Sequence, residues 1–234
     1  QATREVIEIC RKVWRRERVV HDGEMYQLPL PADQGTGLGK PLKLINHPVR
    51  QDIPIYIASL GPKNVALTAE LADGWLPVFF HPDRARQVWG DDLAAGEHKR
   101  DPELGPMEVV AGGSLAICDE DTAEMIRNGG RGMTALYVGG MGAKGKNFYN
   151  NIFRKYGYEE EAEKIQDLYL AGKKEEAMAA VPQDFLDASA MVGSEGHVRE
   201  RIEAYQAAGV THLQVTPAGP DRLGLIEKIK GWIS

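Results

Sequence analysis

The segment from residue 53 to residue 80 constrains the fold most, because it contains a strand, a turn, a helix and a second strand in succession. Residues 53–58, IPIYIA, form a nearly continuous apolar run, which is typical of a parallel strand buried on both faces. A Gly61-Pro62 turn follows, with the proline where the first position of a helix would be. The helix ends before a second apolar run, WLPVFF. This order predicts a parallel unit of an α/β fold.

The Gly61 turn is also a candidate site for an anion. The first N–H groups of a helix have no partner within the helix, so they point past the end of the preceding strand. Lys63 and Asn64 add a cation and an amide donor at the positive end of the helix dipole. We therefore expect a phosphate or another anionic group here. The alternative, that Gly-Pro only begins a helix, has about half the weight on the local sequence.

The remaining chain repeats the order of strand and helix. Hydrophobic spacing predicts helices over 3–16, 83–99 and 194–209, one beginning near Asp121, and three more over about 147–188. An Asp-Gly pair at 22 and 23 predicts a hairpin. Further strands are expected at 107–118 and 210–217, which gives four parallel strands in all. Short connections between strands and helices favour a parallel α/β fold over a sandwich.

Four strands are half of an eight-stranded barrel, which needs about 250 residues. We therefore expect one partial barrel domain spanning residues 1–234, with a helical insertion at about 139–190. The missing N-terminal strands would precede Gln1 in the complete gene or come from a partner chain. The first of these explanations is favoured, because residues 2–16 resemble the middle of a fold.

Composition excludes several classes of protein. The formal net charge is −6 and no basic tract stands out, so nucleic acid is not an expected partner. No apolar stretch approaches the roughly 20 residues that span a bilayer, so no membrane contact is expected. Cys10 and Cys118 are far apart and form neither a disulfide framework nor a metal site, which fits a cytoplasmic location.

A second glycine-rich segment, GGMGAKGKN, begins at Gly139. Its glycines allow unusual backbone conformations, and Lys144 and Lys146 supply positive charge. It lacks the spacing of a P-loop. We consider two interpretations of equal weight, a loop that folds over an anion and a flexible lid or linker.

Several polar and aromatic side chains near expected strand ends remain ambiguous. His212, Gln214 and Thr216 share one face of their strand, although a hydrogen-bonded core position is the expected fate of His212. His47 and His81 are expected to be structural. The side chains of Trp75, Phe79 and Phe80 either pack in the core or wall a pocket for a flat ring, and core packing is favoured.

Three separated segments together carry a family resemblance: IPIYIASLGPKNVALTAELADGWLP, ALYVGGMGAKGKNFYN and AGVTHLQVTP. They resemble the luciferase-like oxidoreductases that use the deazaflavin coenzyme F420, over the C-terminal two thirds of such an enzyme. The resemblance implies a TIM (β/α)8 barrel and hydride transfer between F420 and an unidentified small organic substrate. It also implies that the acid/base residues lie on earlier strands, so no catalytic residue is named. Homodimers are common among such enzymes.

In that family the loop after the fifth strand holds part of the coenzyme's phosphate-bearing tail. The expected coenzyme-binding residues are therefore Ala58, Ser59, Leu60, Gly61, Pro62 and Lys63, with Gly140 and Lys144 from the second segment. Two alternatives stay open: a monooxygenase on the same barrel that uses flavin mononucleotide (FMN), and a non-catalytic half-barrel that binds another chain.

Overall fold

A computed structural model describes residues 1–233. The strands are β1 (His21–Asp22), β2 (Gln27–Leu28), β3 (Tyr56–Ile57), β4 (Gly74–Trp75), β5 (Glu108–Ile117), β6 (Met191–Gly193) and β7 (His212–Pro217). The α-helices are α1 (Ala2–Trp14), α2 (Pro62–Leu71), α3 (Ala85–Glu97), α4 (Glu120–Asn128), α5 (Arg131–Ala135), α6 (Phe148–Lys155), α7 (Glu159–Leu170), α8 (Lys174–Ala179), α9 (Gln183–Ser189), α10 (Glu195–Ala207) and α11 (Arg222–Ile233). A π-helix, Leu136–Gly140, continues from α5. Within residues 1–233, no helix combines the length and hydropathy that crossing a bilayer requires.

Five parallel strands form one open sheet around the long strand β5. The start of β5 pairs with β4, which in turn pairs with β3. Its middle pairs with β7, and its end pairs with β6. Helices α2, α3 and α10 lie against the sheet, where Trp75, Trp89 and Tyr205 are fully buried. The parallel α/β class expected from the sequence is confirmed, with five strands instead of four.

Between β5 and β6 the chain is helical. Helices α4 to α9 and the π-helix occupy this stretch, and α6 and α9 place Phe153 and Phe185 in the same core as the sheet. The helix that follows β5 begins two residues earlier than expected, because its cap is Asp119 and not Asp121. The side chain of Asp119 accepts a hydrogen bond from the Thr122 N–H at 2.9 Å. That residues 139–190 are an insertion stays a prediction.

A buried carboxylate fastens the small hairpin, β1 and β2, to α1. Glu5 is 1% exposed, and its oxygens accept hydrogen bonds from the N–H groups of Met25 (3.1 Å) and Tyr26 (2.9 Å). Burial acts to raise the pKa of Glu5, but hydrogen bonds from the Tyr26 N–H, Gln1 and Met25 outweigh it and lower the pKa to about 2. Gly23 must be glycine, since a Cβ there would overlap this carboxylate.

Candidate coenzyme site

The turn before α2 has the geometry that its sequence predicts. Gly61 is the N-cap residue in an extended conformation (φ −80°, ψ 148°), and Pro62 is the first helical residue. The Gly61 carbonyl accepts hydrogen bonds from the N–H groups of Asn64 (3.0 Å) and Val65 (2.9 Å). No side chain caps the helix, so the Lys63 N–H remains directed outward at the positive end of the dipole.

Two buried tryptophans hold this turn from behind. The indole N–H of Trp75 donates to the carbonyl oxygen of Ser59 at 2.8 Å, and that of Trp89 donates to the carbonyl oxygen of Leu60 at 3.2 Å. Because both rings are buried in the core, the backbone of the turn is fixed before any ligand arrives. A rigid turn loses little conformational entropy on binding.

The six expected residues of this turn do not all face outward. Ala58, Pro62 and Lys63 are exposed, and Gly61 is partly exposed. Leu60 packs against the core, and the buried hydroxyl of Ser59 lies 2.8 Å from the hydroxyl of Thr68. In this arrangement Ser59 and Leu60 contribute to the turn through their backbone. Gly61, Pro62 and Lys63 form the accessible surface of the turn.

The second glycine segment is anchored at both ends. Asn147 is 1% exposed; its amide N–H groups donate to the carbonyl oxygens of Tyr137 (2.8 Å) and Val138 (3.0 Å) in the π-helix. Its side-chain oxygen accepts from the Tyr149 and Asn150 N–H groups and so caps α6. Between these anchors, residues 141–146 lie at the surface. Asn147 therefore ties the end of the segment both to the π-helix and to α6.

Gly140 serves packing in this structure. A Cβ on Gly140 would overlap the ring of Tyr169, which lies directly against the backbone of the π-helix. Lys144 is exposed and forms an ion pair with Asp167 of α7. An exposed ion pair of this kind contributes roughly 0–1 kcal/mol, so Lys144 is available to an anion that competes with Asp167.

The two predicted segments meet at Phe148, a residue that the sequence analysis did not single out. A Cβ on Gly61 would lie 3.2 Å from Cε1 of the Phe148 ring, so this ring covers the turn before α2. Phe148 is the first residue of α6 and follows the glycine segment directly. An aromatic residue that closely follows two lysines in the sequence was the available signal. The contact places the lysine-bearing loop next to the turn before α2.

The ambiguous aromatic residues divide between core and surface. Trp75 and Phe80 are buried, as expected for packing, but Phe79 is partly exposed and lies 5.3 Å from the ring of Tyr137 and 5.6 Å from that of Tyr149. Phe79 also has a left-handed backbone, with φ of 57°. This strained residue stands just beyond the carboxyl end of β4, at the edge of the sheet where α/β barrels carry their active sites.

His212 is not a core residue. Its side chain is 56% exposed, and its Nδ1 lies 3.7 Å from a carboxylate oxygen of Glu108, which also accepts a hydrogen bond from the Tyr56 hydroxyl. The expectation of a buried position was wrong because the side chains of β7 that alternate with Leu213 and Val215 face the open side of the sheet. The Tyr56, Glu108 and His212 cluster lies at the amino ends of the strands, away from the carboxyl edge.

His81 is buried, as expected for a structural histidine. It is 3% exposed, and its Nδ1 has no hydrogen-bond partner among residues 1–233. Burial and the nearby positive charge of Arg84 lower its pKa to about 4, although Asp83 acts in the opposite direction. The imidazole is therefore neutral at pH 7.

Comparison with known proteins identifies the family. Residues 1–212 match the family described as luciferase-like monooxygenase. The chain belongs to the luciferase-like monooxygenase family. A protein of Mycobacterium tuberculosis whose name describes a coenzyme F420-dependent oxidoreductase is 40% identical over 225 residues, which are 94% of this chain and 64% of that protein. The 5,10-methylenetetrahydromethanopterin reductase of Archaeoglobus fulgidus is 29% identical over 233 residues, 97% of this chain and 63% of the relative.

Solved structures of luciferase-like enzymes share the fold. The coenzyme F420-dependent tetrahydromethanopterin reductase of Methanopyrus kandleri superposes with a TM-score of 0.66 at 24% identity, covering 97% of this chain and 60% of that one. An F420-dependent secondary alcohol dehydrogenase in complex with an F420-acetone adduct gives 0.56 at 19% identity, covering 98% and 59%. These matches confirm the expected fold class, an α/β fold of the luciferase-like barrel type, of which the described residues form five parallel strands. The chain spans about 64% of the length of the M. tuberculosis relative.

Proposed function

We propose that this luciferase-like chain takes part in hydride transfer between coenzyme F420 and a small organic substrate. The observation that carries the proposal is the rigid Gly61 turn, with its outward N–H group, Lys63 beside it and the Phe148 ring over it. The names of the relatives support F420 as the coenzyme. The bound deazaflavin would supply the hydride-carrying carbon.

The residues present fit an anionic coenzyme tail. Lys63, Lys144 and Lys146 provide cations near the turn or on the adjoining loop, and the helix dipole adds partial positive charge. Because the chain carries a formal net charge of −6, this local positive region would be needed to attract a negatively charged ligand. We assign these residues to binding and orienting the tail. Phe148 would exclude water from one side of the turn.

Two variants of Gly61 test the proposal. Gly61→Asp would place a carboxylate against the coenzyme phosphate and should weaken F420 binding by about tenfold or more. Gly61→Asn has nearly the same size without the charge, so it measures the steric part alone, including displacement of the Phe148 ring. Gly196→Asp makes the same charge change where a Cβ meets no atom within 4 Å, and it should leave F420 affinity unchanged.

The readout is a fluorescence titration of oxidised F420, with FMN titrated in parallel. Saturable binding of F420 to the wild type, lost in Gly61→Asp and retained in Gly196→Asp, supports the proposal. Preference for FMN would assign the chain to flavin-dependent monooxygenases. Binding of neither coenzyme would favour a non-catalytic half-barrel. Equal F420 affinity in folded Gly61→Asp and wild-type protein would remove this turn from the site.

We further propose a cytoplasmic location and a homodimer for the whole protein. The two cysteines, Cys10 and Cys118, are free thiols in the structure. Analytical ultracentrifugation of the protein tests the dimer, and a monomer at micromolar concentration would contradict it.

A further inference from the structure

On one side of β5, the middle of the strand has no neighbouring strand. Pairing with β4 ends at Val109, and pairing with β6 begins at Leu115. Both neighbours lie on the same side of β5, because the N–H groups of the even-numbered residues Glu108 and Cys118 donate toward them. Residues 110–114 have a strand neighbour only on the other side, where they pair with β7. A gap of about five residues therefore separates β4 from β6.

A cleft of about 300 Å³ occupies this gap. Its walls are the rings of Phe79, Phe80 and Phe185, and Met133 of α5 stands at its rim. Gly112, Gly113 and Ser114 of β5 form its floor. This volume lies at the lower end of the range for small-molecule sites, so it accepts a ligand of one or two rings.

Phe79 gives the cleft a strained aromatic wall. Its φ of 57° places a bulky residue in the left-handed region, and the Tyr156 hydroxyl holds that conformation by donating to the Phe79 carbonyl at 2.8 Å. The ring lies 6.2 Å from that of Phe185, across the cleft wall. Strain of this kind persists where the surrounding structure enforces it, and it concentrates at binding and catalytic sites.

The polar groups of the cleft carry no free charge. Arg127 is the charged side chain that lines it within residues 1–233, and this guanidinium is paired with Glu120 and with Asp187 (3.1 Å) and donates to the Val192 carbonyl at 3.2 Å. Ser114 lines the cleft, and its hydroxyl has no hydrogen-bond partner in the described part of the chain. A neutral ligand with one hydrogen-bond acceptor matches these groups, since an unpaired carboxylate would be costly to bury.

We propose that this cleft binds the ring of an uncharged aromatic carbonyl compound, with its oxygen accepting a hydrogen bond from Ser114. That this ring belongs to the substrate rests on the proposed function. The planar ring would lie against Phe79 and Phe185, where contacts between aromatic rings add to the favourable burial of apolar area. The cleft is thus a specificity site on the carboxyl side of β4, separate from the Gly61 turn.

Three probes test the ligand class by ligand-observed NMR titration of the protein without coenzyme. Acetophenone should bind saturably. Cyclohexyl methyl ketone, its saturated counterpart, should bind about threefold to tenfold more weakly because it lacks the aromatic contacts. Benzoate should bind at least about tenfold more weakly than acetophenone, because the described cleft residues offer no unpaired positive charge to its carboxylate. Benzoate binding as tightly as acetophenone, or no acetophenone binding, would overturn the proposal.

Substitutions of two exposed methionines test where acetophenone binds. Met133 is 58% exposed at the rim, and Met125 is 68% exposed on α4 outside the cleft, so neither substitution removes core packing. Met133→Trp should obstruct the cleft and reduce acetophenone affinity about tenfold, while Met125→Trp should change it by less than about twofold. Ser114→Ala should weaken acetophenone about fivefold. Equal affinity in both tryptophan variants would place the ligand elsewhere.

The F420 titration separates this proposal from the proposed function. Acetophenone binding that Met133→Trp weakens about tenfold, in a protein that does not bind F420, would retain the ring site and refute the coenzyme assignment. F420 binding with no acetophenone binding would refute the ring site alone. Met133→Trp should leave F420 affinity unchanged, because the residues that line the cleft with Met133 include none of residues 58–63.

Discussion

Glu5 is a charged residue within an amphipathic helix, yet it is almost completely buried and holds the hairpin turn by its carboxylate. In Glu5→Gln, an amide N–H group would face the N–H groups of Met25 and Tyr26, so donors would oppose donors. We expect amide exchange at these two residues to accelerate on the order of tenfold. Hydrogen-exchange NMR measures this directly.

Glu24→Gln is the matched control for Glu5→Gln. It makes the same chemical change on an exposed side chain in the same turn, and it should leave exchange at Met25 and Tyr26 unaltered. If Glu5→Gln also leaves their exchange unaltered, the carboxylate does not fasten the hairpin. Spacing alone could not identify this role, because the partners of Glu5 come from residues 21–26 through tertiary contact.

Ser59 is an expected coenzyme-binding residue whose side chain faces inward. Its hydroxyl lies 2.8 Å from that of Thr68, which itself donates to the Asn64 carbonyl at 2.7 Å. We expect Ser59→Ala to reduce the free energy of unfolding by about 1 kcal/mol, the typical net value of one hydrogen bond. F420 affinity should change by less than about twofold, because the backbone of the turn remains. Urea unfolding and the F420 titration measure the two effects.

Thr68→Val provides the second arm of a double-mutant cycle with Ser59→Ala. The two substitutions should be non-additive if the hydroxyls interact directly. A large loss of F420 affinity in folded Ser59→Ala protein would instead assign the hydroxyl to the ligand.

At the scale of elements, strongly periodic helices were predictable and short strands were not. The expected helices at 3–16, 83–99 and 194–209 match α1, α3 and α10 closely, because each has apolar residues at helical spacing. Strand β6 has only three residues, Met191–Gly193, so it shows no alternation that a sequence pattern could reveal. Its partner, the end of β5, is more than seventy residues earlier in the chain.

Asn147 couples three elements: the π-helix, the exposed loop 141–146 and α6. Asn147→Ala would remove the cap of α6 and leave the Tyr137 and Val138 carbonyls with fewer donors. We expect the free energy of unfolding to fall by about 2–3 kcal/mol. F420 affinity should also fall, because the loop that carries Lys144 and Lys146 loses its anchor. Urea unfolding and F420 titration test both effects.

Asn151→Ala is the control within the same helix. Asn151 is exposed on α6, and its side chain makes no hydrogen bond in the described part of the chain, so stability should change by less than about 0.5 kcal/mol. Equal stability of the Asn147 and Asn151 variants would show that the anchor contributes nothing. The π-helix itself was not predictable, because its sequence, LYVGG, does not distinguish a π-helix from an α-helix. The distinction depends on tertiary contacts such as that of Tyr169 with Gly140.

For the whole molecule, the sequence predicted the fold class and brought attention to two glycine segments, but not their meeting. Gly61 and Phe148 are 87 positions apart, and only the tertiary fold shows that the Phe148 ring covers the turn. The cleft beside β5 was equally inaccessible, because it depends on where β4 stops and β6 starts pairing. Local chemistry identified candidate residues, and long-range pairing decided which of them share a site.

The pH dependence of the free energy of unfolding should show the effect of protonating the buried His81 on the whole molecule. The pKa of His81 falls from its ordinary 6.5 to about 4 in the folded protein, so the unfolded chain binds a proton first as the pH decreases. The stability that the neutral histidine contributes is then fully present above pH 6.5. The free energy of unfolding declines by up to about 3 kcal/mol as the pH falls through 4. In His81→Phe, which keeps a ring against Tyr156 and Phe185, this decline should disappear, whereas exposed His47→Phe should retain it. Glu5, with its pKa of about 2, adds a separate loss only below pH 4.5. Urea unfolding at pH 7, 5.5 and 4.5 distinguishes the two groups, and an unchanged decline in folded His81→Phe would assign the acid sensitivity to other residues.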